Sequence, residues 1–351
     1  MRDYVAASVA IEHSREQVAE LTVDLHYAVA PELAHRYGNA GRIRCLEDVR
    51  YHLSYLIHAV SMESAVLFGN YVGWAVALLT ARNIPVDDFR MNLVCLRNAI
   101  AKTLPQIEPF TRECFESATA RLSGESALPT HITDDNPNRA LLEEYLAALI
   151  GFKRQRASEI ILNAANNGVD IRDIYLNVFQ QAQYEIGRLW QINKLSVPQE
   201  HYCTAVTQQI MAQLYPYVFT AAAKPRKVVA ACVQGELHEI GSRILVDFFE
   251  MSGWDTRYFG ANLPTSGIVE ALRQEKPDLL LVSITMTFHL KTVSDLIKAI
   301  RKTEHGDRVK ILVGGYPFIV DPVLWHTVGA DGSARDAKAT LLLADQLFGN
   351  A

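Results

Sequence analysis

A histidine with the surroundings of a metal ligand lies between Gln234 and Gly241. His238 follows a short apolar run, 228–232, which predicts a loop at the carboxyl end of a buried strand. Two positions earlier, Glu236 can accept a hydrogen bond from one ring nitrogen, which fixes the tautomer and makes the other nitrogen more basic. Gly241 lets a ligand approach because it has no side chain. The pattern favours a metal-binding imidazole, although an exposed loop histidine would have the same sequence.

Small and hydroxyl side chains follow the next predicted strands at the same edge of the sheet. Ser283 and Thr285 end the run 279–284, and Gly314 and Gly315 close the run 310–313. Because parallel strands end together at one edge, these residues predict a slot that runs into the sheet beside His238.

These residues together resemble the cobalamin-binding domain family, whose pattern is D-x-H-x-x-G, then S-x-L, then G-G. Order and spacing match across about residues 226–351. The resemblance implies that His238 is the lower axial ligand of cobalt and that Glu236 supports it. Two residues depart from the pattern, because Glu236 replaces Asp and Thr285 replaces Leu.

The same resemblance implies the wider cobalamin contacts. The displaced nucleotide tail would enter the slot beside Ser283, Thr285, Gly314 and Gly315. The remaining contacts expected along the histidine segment are Leu237, Glu239, Ile240 and Gly241.

A second spacing lies upstream, where Trp190 is followed by nine residues and then Glu200-His201. Alone, it would fit a packed tryptophan and a solvated first helical turn. Beside a cobalamin module it resembles the W-x9-E-H signature of light-sensing B12 proteins. That resemblance implies that Trp190 covers the adenosyl group, Glu200 accepts hydrogen bonds from its ribose, and His201 forms a polar wall near the upper axial position.

One position departs from the carotenoid-repressor photoreceptors, in which a histidine follows the tryptophan and captures cobalt after light. Here that residue is Gln191, which does not ligate cobalt comparably. Residues 1–122 also lack the basic recognition helix of a DNA-binding head.

Aromatic and histidine side chains in residues 1–122 suit a flat tetrapyrrole, with arginines for its propionates. The candidates are His52, Tyr55, His58, Tyr71 and Trp74. A helical domain joined to a W-x9-E-H unit resembles the photocobilins, which hold both B12 and biliverdin. An aromatic core with a basic rim is the alternative. Noncovalent binding of the bilin is expected in preference to a thioether bond to Cys45, Cys95 or Cys114.

The elements that must position these residues divide the chain into three parts and a linker. Residues 1–122 have helical apolar periodicity, which continues through Val66, and Asn83-Ile84-Pro85 interrupts a helix. Residues 123–137 predict a linker, and 138–220 a four-helix bundle that caps cobalamin. Residues 225–351 alternate strands with helices, with Ala330 on the last strand. This predicts a doubly wound parallel α/β domain of Rossmann-like or flavodoxin-like type, and an α plus α/β multidomain fold overall.

Composition sets limits on partners and location. The 351 residues are 49% hydrophobic, with a net charge of −5 and no basic block, which argues against direct nucleic-acid binding. No apolar run is long enough for a membrane span, and Met1 to Tyr4 do not predict a signal peptide. Five separated cysteines without a CxxC motif favour reduced thiols and a cytoplasmic location.

These observations predict a non-enzymatic light sensor that binds adenosylcobalamin, with His238 below cobalt, and biliverdin. Loss of the adenosyl group would change domain packing and self-association, with a homodimer expected. The main alternative is a corrinoid protein that carries methyl groups for a methyltransferase. A B12-responsive regulator blind to light is a third reading. A B12 mutase is disfavoured because a catalytic barrel of about 250 residues does not fit.

Overall fold

The computed structural model describes residues 3–122, 128–219 and 222–349. It contains an N-terminal helical region, a helical bundle and a parallel α/β domain, which confirms the predicted fold class. The exact predicted domain limits stay predictions. Residues 123–127 of the predicted linker lie outside the described residues, and 128–137 contain no helix or strand.

Six α-helices make up the N-terminal region. They are α1 (Tyr4–His13), α2 (Arg15–Val29), α3 (Glu32–Ser61), α4 (Ala65–Thr80), α5 (Val86–Thr103) and α6 (Glu108–Leu122), with a 3-10 turn at Pro105–Ile107. Helix α3 bends at Gly38, where φ is +60°. The break predicted at Asn83-Ile84-Pro85 separates α4 from α5.

The apolar periodicity of α3 forms the core of this region. Val49, Leu53, Leu56 and Val60 are buried, as the 3.6-residue spacing predicts. Val66 was expected to continue this stripe but is 38% exposed. It lies in the first turn of α4, directly before the buried Leu67.

The bundle contains the helices α7 (Arg139–Ile150), α8 (Arg154–Asn166), α9 (Ile171–Asp173), α10 (Gln180–Gln191), α11 (Val197–Gln213) and α12 (Tyr215–Val218). A π-helical segment, Ile174–Phe179, joins α9 to α10, so these three pieces form one long arm. Ser196 and Gln199 form a capping box that starts α11, with Pro198 in its first turn.

The α/β domain has five parallel strands in the order β2-β1-β3-β4-β5. The strands are β1 (Lys227–Ala231), β2 (Asp255–Tyr258), β3 (Leu279–Ser283), β4 (Lys310–Gly314) and β5 (Gly332–Ser333). The helices are α13 (Ile240–Glu250), α14 (Thr265–Glu275), α15 (Leu290–Arg301), α16 (Tyr316–Val320), α17 (Leu324–Val328) and α18 (Ala337–Phe348). Ala330 was wrongly placed on the last strand; the chain pairs with β4 only two residues later.

This strand order places a ligand crevice beside β1. In the 2-1-3-4-5 arrangement, the chain leaves β1 toward one side of the sheet and returns on the other, so the loops after β1 and β3 separate. Those two loops carry Glu236 to Gly241 and Ser283 to His289. The fold therefore brings the predicted histidine segment and the predicted hydroxyl segment to one crevice.

The bundle packs against α13, the helix that directly follows the histidine segment. Ile244 and Phe248 of α13 belong to the same apolar core as the bundle helices. The Tyr175 hydroxyl donates a hydrogen bond to Asp247 at 2.8 Å, and Arg172 donates to the Met251 carbonyl at 2.7 Å. Helix α13 therefore joins the bundle to the α/β domain.

Three further properties concern the whole described chain. All five cysteines are free thiols. Across the described ranges, none of the helices has the length and apolar character needed to cross a membrane. The N-terminal region and the α/β domain share one continuous apolar core.

The buried carboxyl of Asp247 predicts a pH-dependent stability. Burial raises its pKa to about 6, although the Tyr175 hydroxyl and Arg243 oppose this shift. The folded protein therefore holds this proton more tightly than the unfolded chain, so stability from this group is present below pH 4 and is lost as pH rises toward 6. We expect the free energy of unfolding of Asp247→Asn, taken relative to that of the parent protein, to be about 1–3 kcal/mol higher at pH 8 than at pH 4.

Urea denaturation at pH 4, 5, 6 and 8 measures this difference. Asp87→Asn is the matched control, because the Asp87 side chain is 84% exposed. Parallel stability curves for Asp247→Asn and the parent protein would contradict the prediction.

Candidate functional site

The carboxylate of Glu236 holds the candidate metal ligand. Its Oε1 accepts hydrogen bonds from Nδ1 of His238 at 2.5 Å and from the His238 backbone N–H at 2.9 Å. With Nδ1 protonated and bonded, Nε2 carries the free lone pair. The His238 side chain is 57% exposed, whereas Glu236 is fully buried. The pair therefore presents an oriented, accessible imidazole, as predicted from the sequence spacing.

Glu236 also ties together the two loops of the crevice. Its Oε2 accepts hydrogen bonds from the backbone N–H of Thr285 at 2.6 Å and of Met286 at 3.3 Å. Burial alone would raise the pKa of Glu236, but the hydrogen bonds from His238 and Thr285 outweigh it and lower that pKa to about 2. The same pairing raises the pKa of His238. The longer Glu, in place of Asp, reaches both loops at once.

The glycines and Ser283 leave open space at the strand ends. Ser283 is opposite Gly314 in the sheet register. A Cβ on Gly241 would meet only the Ser283 hydroxyl at 4.0 Å, and one on Gly314 would meet the Ala334 carbonyl at 3.6 Å. Gly315 has a φ of +98°, and a Cβ there would lie 1.9 Å from the Ile284 carbonyl, so this position requires glycine. Thr285 is half-buried beside them.

The other residues of the histidine segment have separate surroundings. Leu237 is 70% exposed, and Ile240 begins α13. Glu239 accepts hydrogen bonds from Gln208 of the bundle at 2.7 Å and from the Tyr258 hydroxyl at 2.8 Å. Glu239 therefore joins the bundle to the α/β domain beside His238.

Two residues near the histidine were not predicted from the sequence. His289 is 7% exposed, and its ring packs so closely on Gly235 that a Cβ there would lie 2.8 Å from it. Phe288 contacts the His289 ring edge-on, with centroids 4.7 Å apart. The available signal was a Phe-His pair in the loop after a buried strand, at the same sheet edge as His238.

The bundle places Glu200 toward the histidine loop. Glu200 Oε2 lies 2.7 Å from His201 Nδ1, and its Oε1 accepts a hydrogen bond from the Thr204 hydroxyl at 3.1 Å. The negative charge of Glu200 contributes to the raised pKa of His238 across the domain boundary. The His201 side chain is 73% exposed. The Glu-His pair thus lies on the bundle side of the crevice.

Trp190 and Gln191 end helix α10 against the N-terminal region. Trp190 is half-buried, and its ring lies 6.2 Å from that of Trp74. Gln191 is 7% exposed and donates its amide hydrogen to the Trp74 carbonyl at 2.9 Å. Gln191 therefore links the bundle to the N-terminal region, and its inability to ligate cobalt stays a prediction.

The predicted tetrapyrrole residues come together in α3 and α4. Tyr55 stacks on Tyr71 with centroids 3.8 Å apart, and Tyr71 stacks on Trp74 at 6.2 Å. His52 Nδ1 lies 2.7 Å from the Tyr71 hydroxyl, and burial lowers the His52 pKa to about 3. His58 is half-buried, and burial lowers its pKa to about 4. In this structure the aromatic faces contact one another, as an aromatic core would.

The three N-terminal thiols have low reactivity. Burial raises the pKa of Cys45 to about 11 and that of Cys114 to about 12, and it also raises the pKa of Cys95. Because the thiolate is the nucleophile, covalent attachment of a bilin here is disfavoured.

The residues present fit a metal that brings most of its own ligands. Within residues 3–122, 128–219 and 222–349, no three His, Cys, Asp or Glu side chains gather into a metal site. His238 therefore offers one nitrogen, and Gly241 and Gly314 leave space where a Cβ would meet no atom closer than 3.6 Å. A corrin ring, which supplies four equatorial nitrogens to its cobalt, needs such a single ligand.

Comparison with known proteins supports cobalamin binding. Residues 226–342 match the family model described as B12 binding domain, and residues 141–215 match a second model with the same description. A corrinoid protein of Desulfitobacterium hafniense is 23% identical over 214 residues, which cover 60% of this chain and 98% of that protein. Dimethylamine corrinoid protein 3 of Methanosarcina acetivorans is 25% identical over 210 residues, which cover 59% of this chain and 97% of that protein.

A solved structure shares the fold. The monomethylamine corrinoid protein of Methanosarcina barkeri superposes with a TM-score of 0.54 at 22% identity, covering 60% of this chain and 99% of that protein. The N-terminal helices lie outside both family matches. The two B12 binding domain matches and the corrinoid relatives support the assignment of residues 141–342 to the cobalamin-binding proteins.

Proposed function

We propose that this protein is an adenosylcobalamin-dependent light sensor, with the cofactor held between the bundle and the α/β domain. The observation that carries the proposal is the series of ring contacts from Trp190 through Trp74, Tyr71 and Tyr55 to Phe288, which lies in the loop bonded to Glu236. Glu200 lies in the first turn of α11 in the bundle. Trp190 lies at the end of the preceding helix. In this proposal His238 would bind the cobalt, and Glu200 would contact the cofactor from the bundle.

The roles of the chain's own groups follow from their contacts. Glu236 holds the His238 imidazole so that Nε2 faces the cofactor, and the glycine-lined slot receives the nucleotide tail. Glu200, already oriented by His201 and Thr204, has acceptor capacity for ribose hydroxyls. Trp190 provides the apolar cover and excludes water from the upper face.

Adenosylcobalamin supplies a cobalt–carbon bond that light breaks. Loss of a group covered by Trp190 would remove a packing partner of the indole, and the bundle could then reorient on α13. Because Gln191 is held by Trp74, His201 is the exposed bundle imidazole available to approach the site. Light-dependent self-association, with a homodimer as one state, and a cytoplasmic location are parts of this proposal.

Biliverdin binding is the less developed part of the proposal. Its support is the aromatic cluster of α3 and α4, which adjoins Trp190 through Trp74. His52, Tyr55, His58, Tyr71 and Trp74 would have to rearrange to admit a tetrapyrrole, because their rings now contact one another or are buried.

A second candidate is a corrinoid protein that carries methyl groups for a methyltransferase. The names of the relatives favour this function more directly than they favour a light sensor. The two candidates require different upper faces, since a methyl carrier must open to a partner enzyme, whereas Trp190 suits a bulky upper ligand.

Illumination distinguishes the candidates. The protein loaded with adenosylcobalamin in the dark should change its absorbance spectrum under green light, and its elution volume in size-exclusion chromatography should change with it. Protein loaded with hydroxocobalamin is the control, since it lacks the adenosyl group. An unchanged spectrum and size, together with methyl transfer from methylcobalamin to an acceptor, would favour the methyl carrier. A size change that depends on ligand and is identical in dark and light would favour a B12-responsive regulator.

Removal of the proposed cobalt ligand tests the site itself. His238→Ala should weaken adenosylcobalamin binding about 100-fold or more and remove the spectral signature of an imidazole below cobalt, because loss of a supporting group alone costs about 10- to 100-fold. Glu236→Gln should have the smaller effect. His35→Ala, at an exposed position on α3, is the matched control. Parent-like affinity and spectrum in His238→Ala would contradict the assignment.

Biliverdin binding is tested separately. Protein expressed with biliverdin should gain a far-red absorbance band, and Trp74→Ala should reduce that band by removing a stacking wall. Cobalamin bands alone in the parent protein would contradict the bilin part and leave the cobalamin part intact.

A further inference from the structure

The tryptophan at the end of α10 is held by the N-terminal region through reciprocal contacts. The Trp74 and Trp190 rings lie 6.2 Å apart at an angle of 32°, and the Arg82 guanidinium lies 6.0 Å from the Trp190 ring. Arg82 also donates a hydrogen bond to the Gln191 carbonyl at 3.0 Å, while the Gln191 amide donates to the Trp74 carbonyl at 2.9 Å. We call these four residues the α4 latch.

The same region is attached to the α/β domain by a different set of contacts. Tyr55 packs edge-on against Phe288 with centroids 6.0 Å apart. The Ser64 hydroxyl donates to Asp321 at 2.5 Å, and an apolar core runs continuously across this boundary. Phe288 lies in the loop whose backbone is bonded to Glu236. One helical region therefore contacts both sides of the crevice.

The two attachments differ in strength. The apolar core of the bundle includes no residue of the described range 3–122. Between the N-terminal region and the bundle, the α4 latch therefore contributes the ring and hydrogen-bond contacts. Shared apolar core is costly to separate, whereas a ring contact, a cation–π contact and two hydrogen bonds separate more readily. Because the bundle also shares an apolar core with α13, the contact expected to open first is the α4 latch, while the N-terminal region stays with the α/β domain.

We propose that Trp74 and Arg82 are positioning residues that hold Trp190 over the upper face of the cofactor, and that the α4 latch is the contact that opens when the upper ligand is lost. This inference rests on the proposed placement of cobalamin beneath Trp190. It does not depend on whether light removes the ligand. Retention of a bulky upper ligand is then regulated by a domain outside the two B12-binding matches.

Dissociation of ligands from the full-length protein in the dark tests the latch. Arg82→Gln keeps a side-chain N–H donor but removes the cation over Trp190, and the half-exposed position should tolerate it. Adenosylcobalamin should dissociate about three- to ten-fold faster from this variant. Hydroxocobalamin should dissociate less than about two-fold faster, because it offers no bulky group to cover. Arg90→Gln, which removes an exposed guanidinium paired with Asp87, is the matched control.

A double variant separates positioning from general loosening. In a Trp190→Leu background, which has no aromatic ring for the cation, Arg82→Gln should have little further effect, because both changes remove the same contact. Additive effects of the two substitutions on adenosylcobalamin dissociation would overturn the proposal. Equal acceleration of adenosylcobalamin and hydroxocobalamin dissociation would overturn it as well. The rate of amide hydrogen exchange in residues 180–191 should also rise in Arg82→Gln, whereas the rate in residues 139–150 should not change. Unchanged exchange in both segments would also overturn the proposal. A protein without a light response but with these dark effects would refute only the light-sensor function.

Discussion

The buried carboxylate of Glu236 is the interaction on which the candidate site depends. It accepts hydrogen bonds from the His238 ring and backbone and from two amides of the loop after β3. An ionised carboxylate with no exposure would be costly without these donors, and with them its pKa falls to about 2. The loops on either side of the crevice are therefore held in one geometry by one side chain, and the imidazole orientation follows from it.

The surrounding architecture explains why one carboxylate can do this. Parallel strands in the order 2-1-3-4-5 separate the loops after β1 and β3 but keep their starting points adjacent. The glycine at 315 allows the backbone to approach Ile284, where a side chain would clash. The bundle then closes the crevice from the other side, because α13 contributes apolar residues to its core. The bundle and the α/β domain therefore lie on different sides of the same crevice.

The N-terminal region makes this protein different from a minimal two-domain cobalamin unit. It lies beyond the residues matched by the B12-binding families, yet it contacts Trp190 on the bundle and Phe288 on the α/β domain. Its stacked residues Tyr55, Tyr71 and Trp74 connect those two contacts. A change in the distance between the bundle and the α/β domain must therefore alter the N-terminal region, whatever cofactor chemistry causes that change.

Sequence alone determined the local features of this protein. The spacing of Glu236, His238 and Gly241, and the position of Ser283 and Gly314 at the ends of buried runs, predicted that these residues lie at one edge of the sheet, because parallel strands end together there. Helical periodicity likewise identified the buried positions of α3. These inferences depend on short-range geometry, which residue order specifies directly.

Tertiary structure decided the relations between distant segments. The contact of Gln191 with Trp74, the approach of Arg82 to Trp190 and the packing of His289 on Gly235 join residues far apart in the chain, and no periodicity encodes them. The exposure of Val66 and the true position of β5 have the same origin, since neighbouring elements determine which face is covered and where pairing begins. The local pattern specifies which groups are available, whereas the packing of three domains decides which of them meet.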